Sequence, residues 1–160
     1  MQRGVRRFAG TRIGALLFSR VLRPVDAVAW RTSGGRWTVA SVGAGLPVIR
    51  LVTTGARSGL PRIAPLVGVP VDGGLLVIGS NFGQRAMPSW AVNLARDPRA
   101  SVQYRGRTAA VRAESLAGDA AAGALGTAAR IYPPFVTYVE RLRRHRDVPI
   151  FLLVARSPTD

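Results

Sequence analysis

The chain has 160 residues, enough for one domain with its own core and short for two. It contains no cysteine and one histidine, which excludes disulfides, thiolate nucleophiles and cysteine metal sites, and leaves no metal to expect. Its 23 basic residues, all arginine, stand against eight acidic ones for a net charge of +15. The total exclusion of lysine points to a coding bias, so the charge alone does not argue for a nucleic-acid partner.

Residues 1–46 read as a basic N-terminal segment and residues 47–160 as the main domain. Six arginines precede the first acid, Asp26. Phe8, Ile13, Leu16, Leu17 and Val21 interleave with Arg6, Arg7, Arg12, Arg20 and Arg23, and the 13-16-17-21 spacing is helical. That apolar stripe either packs on the core or lies on an anionic membrane with its arginines at the headgroups. No apolar run approaches the roughly 20 residues of a membrane span, and no secretory cleavage pattern is evident. The expected location is the cytoplasm, with peripheral contact on the inner face of the cell membrane.

Past the breakers Gly43-Ala44-Gly45, Val48 to Thr53 reads as the first strand. Ile63 to Val71 is a second strand, and its prolines place at least part of it at an edge or bulge. Asp72-Gly73-Gly74 is a hairpin turn, and Leu75 to Gly79 a third strand. Pro88 to Arg96 is a short helix with proline in its first turn. Ala100 to Tyr104 and Thr108 to Ala113 form a hairpin around Arg105-Gly106-Arg107. Asp119 to Arg130 is alanine-rich and helical, and a further helix runs from Tyr132-Pro133-Pro134 to about Arg144. Val148 to Val154 is the last strand. Hairpins dominate, which favours a small, mostly antiparallel barrel with helices around it over a doubly wound sheet.

Three segments could carry chemistry. In the first, Thr53-Thr54-Gly55-Ala56-Arg57-Ser58-Gly59-Leu60-Pro61-Arg62, backbone N–H groups, a hydroxyl and two guanidiniums could converge on an anion. It is neither a P-loop nor a dinucleotide fingerprint, and a solvent-exposed basic turn is the competing reading. The second, Gly79-Ser80-Asn81-Phe82-Gly83, leaves a strand toward the helix holding Trp90. Its glycines let backbone approach a flat ring. Trp90 either stacks on that ring or packs in the core, and Asn93 could fix the loop entering that helix through backbone hydrogen bonds. The third is Tyr132-Pro133-Pro134-Phe135-Val136-Thr137-Tyr138, with aromatics on one helical face, lining either a pocket or the core. Tyr132 and Tyr138 are its phenolic donors, with an ordinary pKa of about 10. No paired carboxylates and no nucleophile elbow are present, and His145 lies in an arginine run that reads as a solvated face. An enzyme so poor in acid–base groups would borrow its reactivity from a cofactor.

These blocks resemble the deazaflavin (coenzyme F420)-dependent nitroreductase and F420H2-dependent quinone reductase family of actinobacteria. The likeness runs from Thr53 through Arg62-Ile63-Ala64-Pro65-Leu66, then Ser80-Asn81-Phe82-Gly83, then Pro88-Ser89-Trp90-Ala91-Val92-Asn93-Leu94, and ends in the Tyr132–Tyr138 segment and Val148-Pro149-Ile150. It implies a mainly β fold with peripheral helices, a split β-barrel of the FMN/F420-binding type. It also implies an oxidoreductase passing a hydride from reduced F420 to a quinone, enone or nitroaromatic acceptor. A non-catalytic F420 or flavin carrier is the alternative. Cofactor contacts implied by the resemblance are Ala56, Arg57, Ser58 and Arg62 at the anionic tail, and Ile63, Ala64, Pro65, Leu66 and Val67 along its path. Ile78, Gly79, Ser80, Asn81, Ser89, Trp90, Ala91, Val92, Asn93 and Phe135 fall beside the ring or its linker. Tyr132 or Tyr138 would orient the substrate. Ala56, Val67, Asn81 and Phe135 depart from common family residues. The expected partner is a small electron acceptor, the expected assembly a monomer or homodimer, and no nucleic acid is expected.

Overall fold

The computed structural model describes residues 47–156. The N-terminal helix expected from the 13-16-17-21 spacing lies outside them.

Seven strands and three helices make up the described chain. The strands are β1 (Val48–Thr54), β2 (Pro61–Val67), β3 (Val69–Val71), β4 (Gly74–Ile78), β5 (Arg99–Tyr104), β6 (Arg107–Leu116) and β7 (Ile150–Ala155). The helices are α1 (Ser89–Arg96), α2 (Gly118–Ile131) and α3 (Pro134–Leu142). All seven strands join one antiparallel sheet in the order β2-β1-β5-β6-β7-β4-β3. It curls into the split-barrel form.

The expected second strand is two strands, parted at Gly68. These are the two edges of the sheet, so a single bend carries the chain from one edge to the other. The Gly68 N–H donates to the Pro47 carbonyl at 2.9 Å and ties that bend to the foot of β1. Pro61, Pro65 and Pro70 all sit on these edge strands, where a missing N–H costs least. β6 runs three residues beyond the expected Ala113, because its far end pairs with β7 out to Leu116↔Ile150. That pairing is non-local and leaves no mark in the hairpin's own sequence.

Strand alternation sends side chains to two cores. On one face Ile49, Leu51, Val77, Val102, Val111, Phe151 and Leu153 pack against Trp90, Ala91 and Leu94 of α1. On the other, Val48, Val69, Leu76, Ile78 and Ile150 pack against α2 and α3 through Ala124, Ala128, Phe135 and Tyr138. Alanine on the inner face of α2 lets that helix approach closely, and Ala128 is fully buried. Each fully buried leucine, such as Leu51 or Leu153, contributes about 2 kcal/mol.

The register also fixes which ends coincide. β1 and β4 finish, and β2, β5 and β7 begin, at the same end of the sheet. The basic 55–60 turn, the loop after Ile78 and both connections of α1 therefore share that end.

Candidate functional site

The β1–β2 turn is closed by two backbone bonds, Gly55 N–H to the Leu60 carbonyl at 2.9 Å and Gly59 N–H to the Gly55 carbonyl at 2.8 Å. Gly59 has a φ of +67°, a conformation that glycine adopts without steric cost. Asn93 of α1 anchors the turn from below. Its Oδ1 accepts from the Ala56 N–H at 2.9 Å, and its Nδ2 donates to Thr53 Oγ1 at 2.9 Å. Both Asn93 and Thr53 are buried; the sequence pointed to bonds with the loop entering α1, and the amide instead holds the β1–β2 turn, one of its two bonds going to a side chain. The Ser58 hydroxyl accepts from the Leu60 N–H at 3.3 Å and from an Arg62 Nη2 at 3.2 Å. Arg57, Ser58 and Arg62 are all exposed.

Between this turn and the C-terminal end of α1 lies a cleft of about 370 Å³ with Arg57, Arg96, Asp97 and Arg99 on its walls. Asp97 is taken up by Arg99, at 2.9 Å from its Nε and 3.1 Å from Nη2. Those bonds, with the Arg99 backbone N–H, lower the Asp97 carboxyl to a pKa of about 2. Arg57 and Arg96 make no ion pair among the described residues. The cleft therefore presents uncompensated positive charge and exposed backbone, which suits phosphate or carboxylate groups. Arg96 and Arg99 were not legible as site residues: Arg96-Asp97-Pro98 reads as the end of a helix, and only the fold turns it toward Arg57.

The second segment is built differently. Gly79 and Ser80 are buried, and Asn81 is half-buried. Asn81 (φ +44°) and Phe82 (φ +56°) are left-handed without being glycine, and Gly83 (φ +75°) follows. Phe82 sets its ring against Tyr138, centroids 6.3 Å apart at 72°. Arg146, half-buried, crosses beneath the loop and donates to the carbonyls of Gly79, Ser80 and Gln84 at 3.0, 3.4 and 3.2 Å. Sequence reasoning missed it, because it is one arginine in a run of them; its neighbours Arg143, Arg144 and His145 are exposed, as that run predicts.

The remaining expected contacts divide between surface and interior. Ile63, Pro65, Ser89 and Val92 are exposed, and Ala64, Leu66 and Val67 half-buried along β2. Trp90 and Ala91 lie in the α1 core, Trp90 edge-on to Phe151 at 6.1 Å. Of the two readings of Trp90, the structure has the packed one. Ile78 and Phe135 lie in the opposite core. Tyr132 and Tyr138 are there too, 4% and 1% exposed, with their hydroxyls 3.1 Å apart. Burial pushes the Tyr138 phenol above its ordinary value, with the Tyr132 hydroxyl and Arg141 pulling against it. Both phenols are thus turned inward, where the sequence pointed to a donor facing the substrate. Among the described residues no cluster of His, Asp or Glu could hold a metal, and no helix is long and apolar enough to cross a membrane.

The chain is similar to an F420-H2 dependent reductase, FDR-A, at 30% identity and a TM-score of 0.60, covering 67% of this chain and 93% of that one. It is similar to a domain-swapped dimer at 27% identity and a TM-score of 0.62, covering 81% and 98%. HutZ, a heme storage protein from Vibrio cholerae, shares the fold at 17% identity and a TM-score of 0.52, covering 69% and 82%. Residues 22–155 match the F420H(2)-dependent quinone reductase family. The chain belongs to that family and is an oxidoreductase whose cofactor is coenzyme F420.

Proposed function

We propose that the chain reduces a quinone with F420H2, and that enones and nitroaromatics are further acceptors of the same site. One observation carries the placement: the basic cleft and the 79–84 loop share an end of the sheet and are joined by α1, which starts from the loop and finishes at the cleft. That gives one ligand an anionic end and a flat end on a single rigid path.

When bound, the reduced deazaflavin supplies a hydride donor. The residues supply position. Ala56, Arg57, Ser58 and Arg62 hold the phosphate-and-glutamate tail, with Arg96 as a further cation on the cleft wall. Ile63, Ala64, Pro65, Leu66 and Val67 form the path along β2. Ile78, Gly79, Ser80 and Asn81, with Ser89 and Val92 at the exposed side of α1, frame the ring. Trp90, Ala91, Asn93 and Phe135 act from beneath by holding those elements. Tyr132 and Tyr138 shape the wall behind Phe82 rather than meeting the acceptor, because both side chains are buried and their hydroxyls face each other.

The test is a fluorescence titration with F420, followed by oxidation of F420H2 with menadione, an enone and a nitroimidazole in turn. Saturable micromolar binding and quinone-dependent oxidation above the protein-free rate are expected. Binding without turnover would leave only a carrier, and no binding would remove the assignment altogether.

A membrane-bound quinone would give the arginine-rich residues 1–30 a purpose. We infer peripheral binding to anionic membranes by that segment, expected as co-sedimentation with anionic vesicles that is lost when the segment is deleted. Equal binding by both forms would refute it.

A further inference from the structure

We propose that Arg146 is a positioning residue for the reaction, its guanidinium fixing the 79–87 loop in the shape that receives the flat end of the cofactor. The inference rests on the ring-side placement proposed above.

The loop needs an external hold. Asn81, Phe82 and Gly83 are three consecutive left-handed residues; asparagine and glycine adopt this backbone readily, but Phe82 does so only when its surroundings impose it. Internal bonds supply part of the restraint. Gly83 N–H donates to the Ser80 carbonyl at 2.8 Å, Gln84 N–H to the Asn81 carbonyl at 3.0 Å, and Asn81 Nδ2 to the Ala86 carbonyl at 3.0 Å. From one side Tyr138 packs on Phe82. From the other, one Arg146 Nη2 bridges Gly79 and Ser80 at the start of the loop and Gln84 near its end. Nη1 adds the Asp147 carbonyl at 3.0 Å and lies 3.7 Å from Met87 Sδ.

Carbonyl groups are all the oxygen partners this cation has in those bonds; no carboxylate shares them. Its Nε is buried without a hydrogen-bond partner, and burial pulls the group below its ordinary pKa. A guanidinium held under such terms serves the geometry of what it binds, since a surface arginine would keep its hydration. Reach matters as well: one nitrogen at the end of this long side chain meets carbonyls at both ends of the loop at once, and the shorter glutamine would not extend that far.

The test compares Arg146→Gln, Arg146→Lys and Arg57→Gln in the full chain, against F420 and against its tail-less deazaflavin riboside. Arg146→Gln should weaken both ligands by the same factor, about tenfold, and Arg146→Lys should recover most of that loss. Arg57→Gln should weaken F420 and leave the riboside unchanged. Gly83→Ala provides a second route. A Cβ there would lie 3.3 Å from Tyr138 Cδ1 and 3.2 Å from an Arg141 Nη1, at a φ of +75°. It should therefore reproduce the Arg146→Gln pattern without touching the arginine, and it decides the matter if Arg146→Gln does not fold. Unchanged riboside affinity and turnover in the folded Arg146 or Gly83 variant would overturn the inference while Arg57→Gln still weakens F420. Unchanged F420 affinity in every variant would instead overturn the placement of the cofactor.

Discussion

The 55–60 turn and the 79–87 loop leave the same end of one sheet and solve opposite problems. The turn is exposed and basic, closed by its own backbone, and its side chains Arg57, Ser58 and Arg62 point outward. The loop is buried at its start and half-buried through Gln84, its backbone is left-handed over three residues, and Arg146 is turned inward to hold its carbonyls. Charge acts over distance and tolerates a loosely shaped frame. A surface that must lie flat against a ring tolerates no such slack, so the chain spends a guanidinium on shape there. The same residue type thus attracts in one place and braces in the other.

That contrast can be broken in steps. The largest effect is expected from Asn93→Ala, which removes the partner of the Ala56 N–H and of the buried Thr53 hydroxyl. Stability should fall by about 2–3 kcal/mol in urea denaturation, with weaker F420 binding. A loss below about 0.5 kcal/mol, within the range of ordinary surface substitutions, would mean that α1 does not hold the turn. Next comes the double substitution Arg57→Gln with Arg96→Gln. F420 affinity should drop at least about tenfold and lose part of its salt dependence, with the melting temperature unmoved. An affinity and salt dependence both unchanged from wild type would place the anion elsewhere.

Tyr138→Phe is expected to cost about 1 kcal/mol and to leave quinone turnover within about threefold, less than 1 kcal/mol at the transition state. A kcat loss of about a hundredfold in a stable variant, which is the size of a general acid's contribution, would instead put a hydroxyl at the acceptor. The smallest effect concerns Asp97. Its folded pKa of about 2 lies below the ordinary carboxylate value of 3.8, so its contribution is present above that ordinary value and fades as pH falls through about 2. Wild type should melt slightly above Asp97→Asn at pH 7, by less than about 1 kcal/mol for a partly exposed pair. The two should converge at about pH 2. A gap that persists there would assign the difference to something other than charge.

Much of this molecule was legible in the chain. Asp72-Gly73-Gly74 and Arg105-Gly106-Arg107 marked hairpins because only certain residues fit their turns. Prolines 61, 65 and 70 marked edges because an inner strand needs every N–H. That Asn93 would hold a loop was readable, but not which one: the sequence pointed to the loop entering α1, and only the fold brings the 55–60 turn over the helix. The burial of Tyr132 and Tyr138 was not: three aromatics on a helical face look alike whether the face meets a pocket or a core. Arg96 and Arg146 stayed hidden for another reason. In a chain whose every basic residue is arginine, identity says nothing about role, and only the fold separates a bracing guanidinium from a solvated one.

β7 lies in the middle of the sheet, between β6 and β4, although it comes last among the strands. The strands β2-β1-β5-β6 lie on one side of it and β4-β3 on the other. Phe151 and Leu153 in one core, and Ile150 in the other, belong to it. Its pairing with β6 on one side and β4 on the other joins those two sets of strands into one hydrogen-bonded sheet, so the last of the described strands completes the frame that the cofactor motifs share.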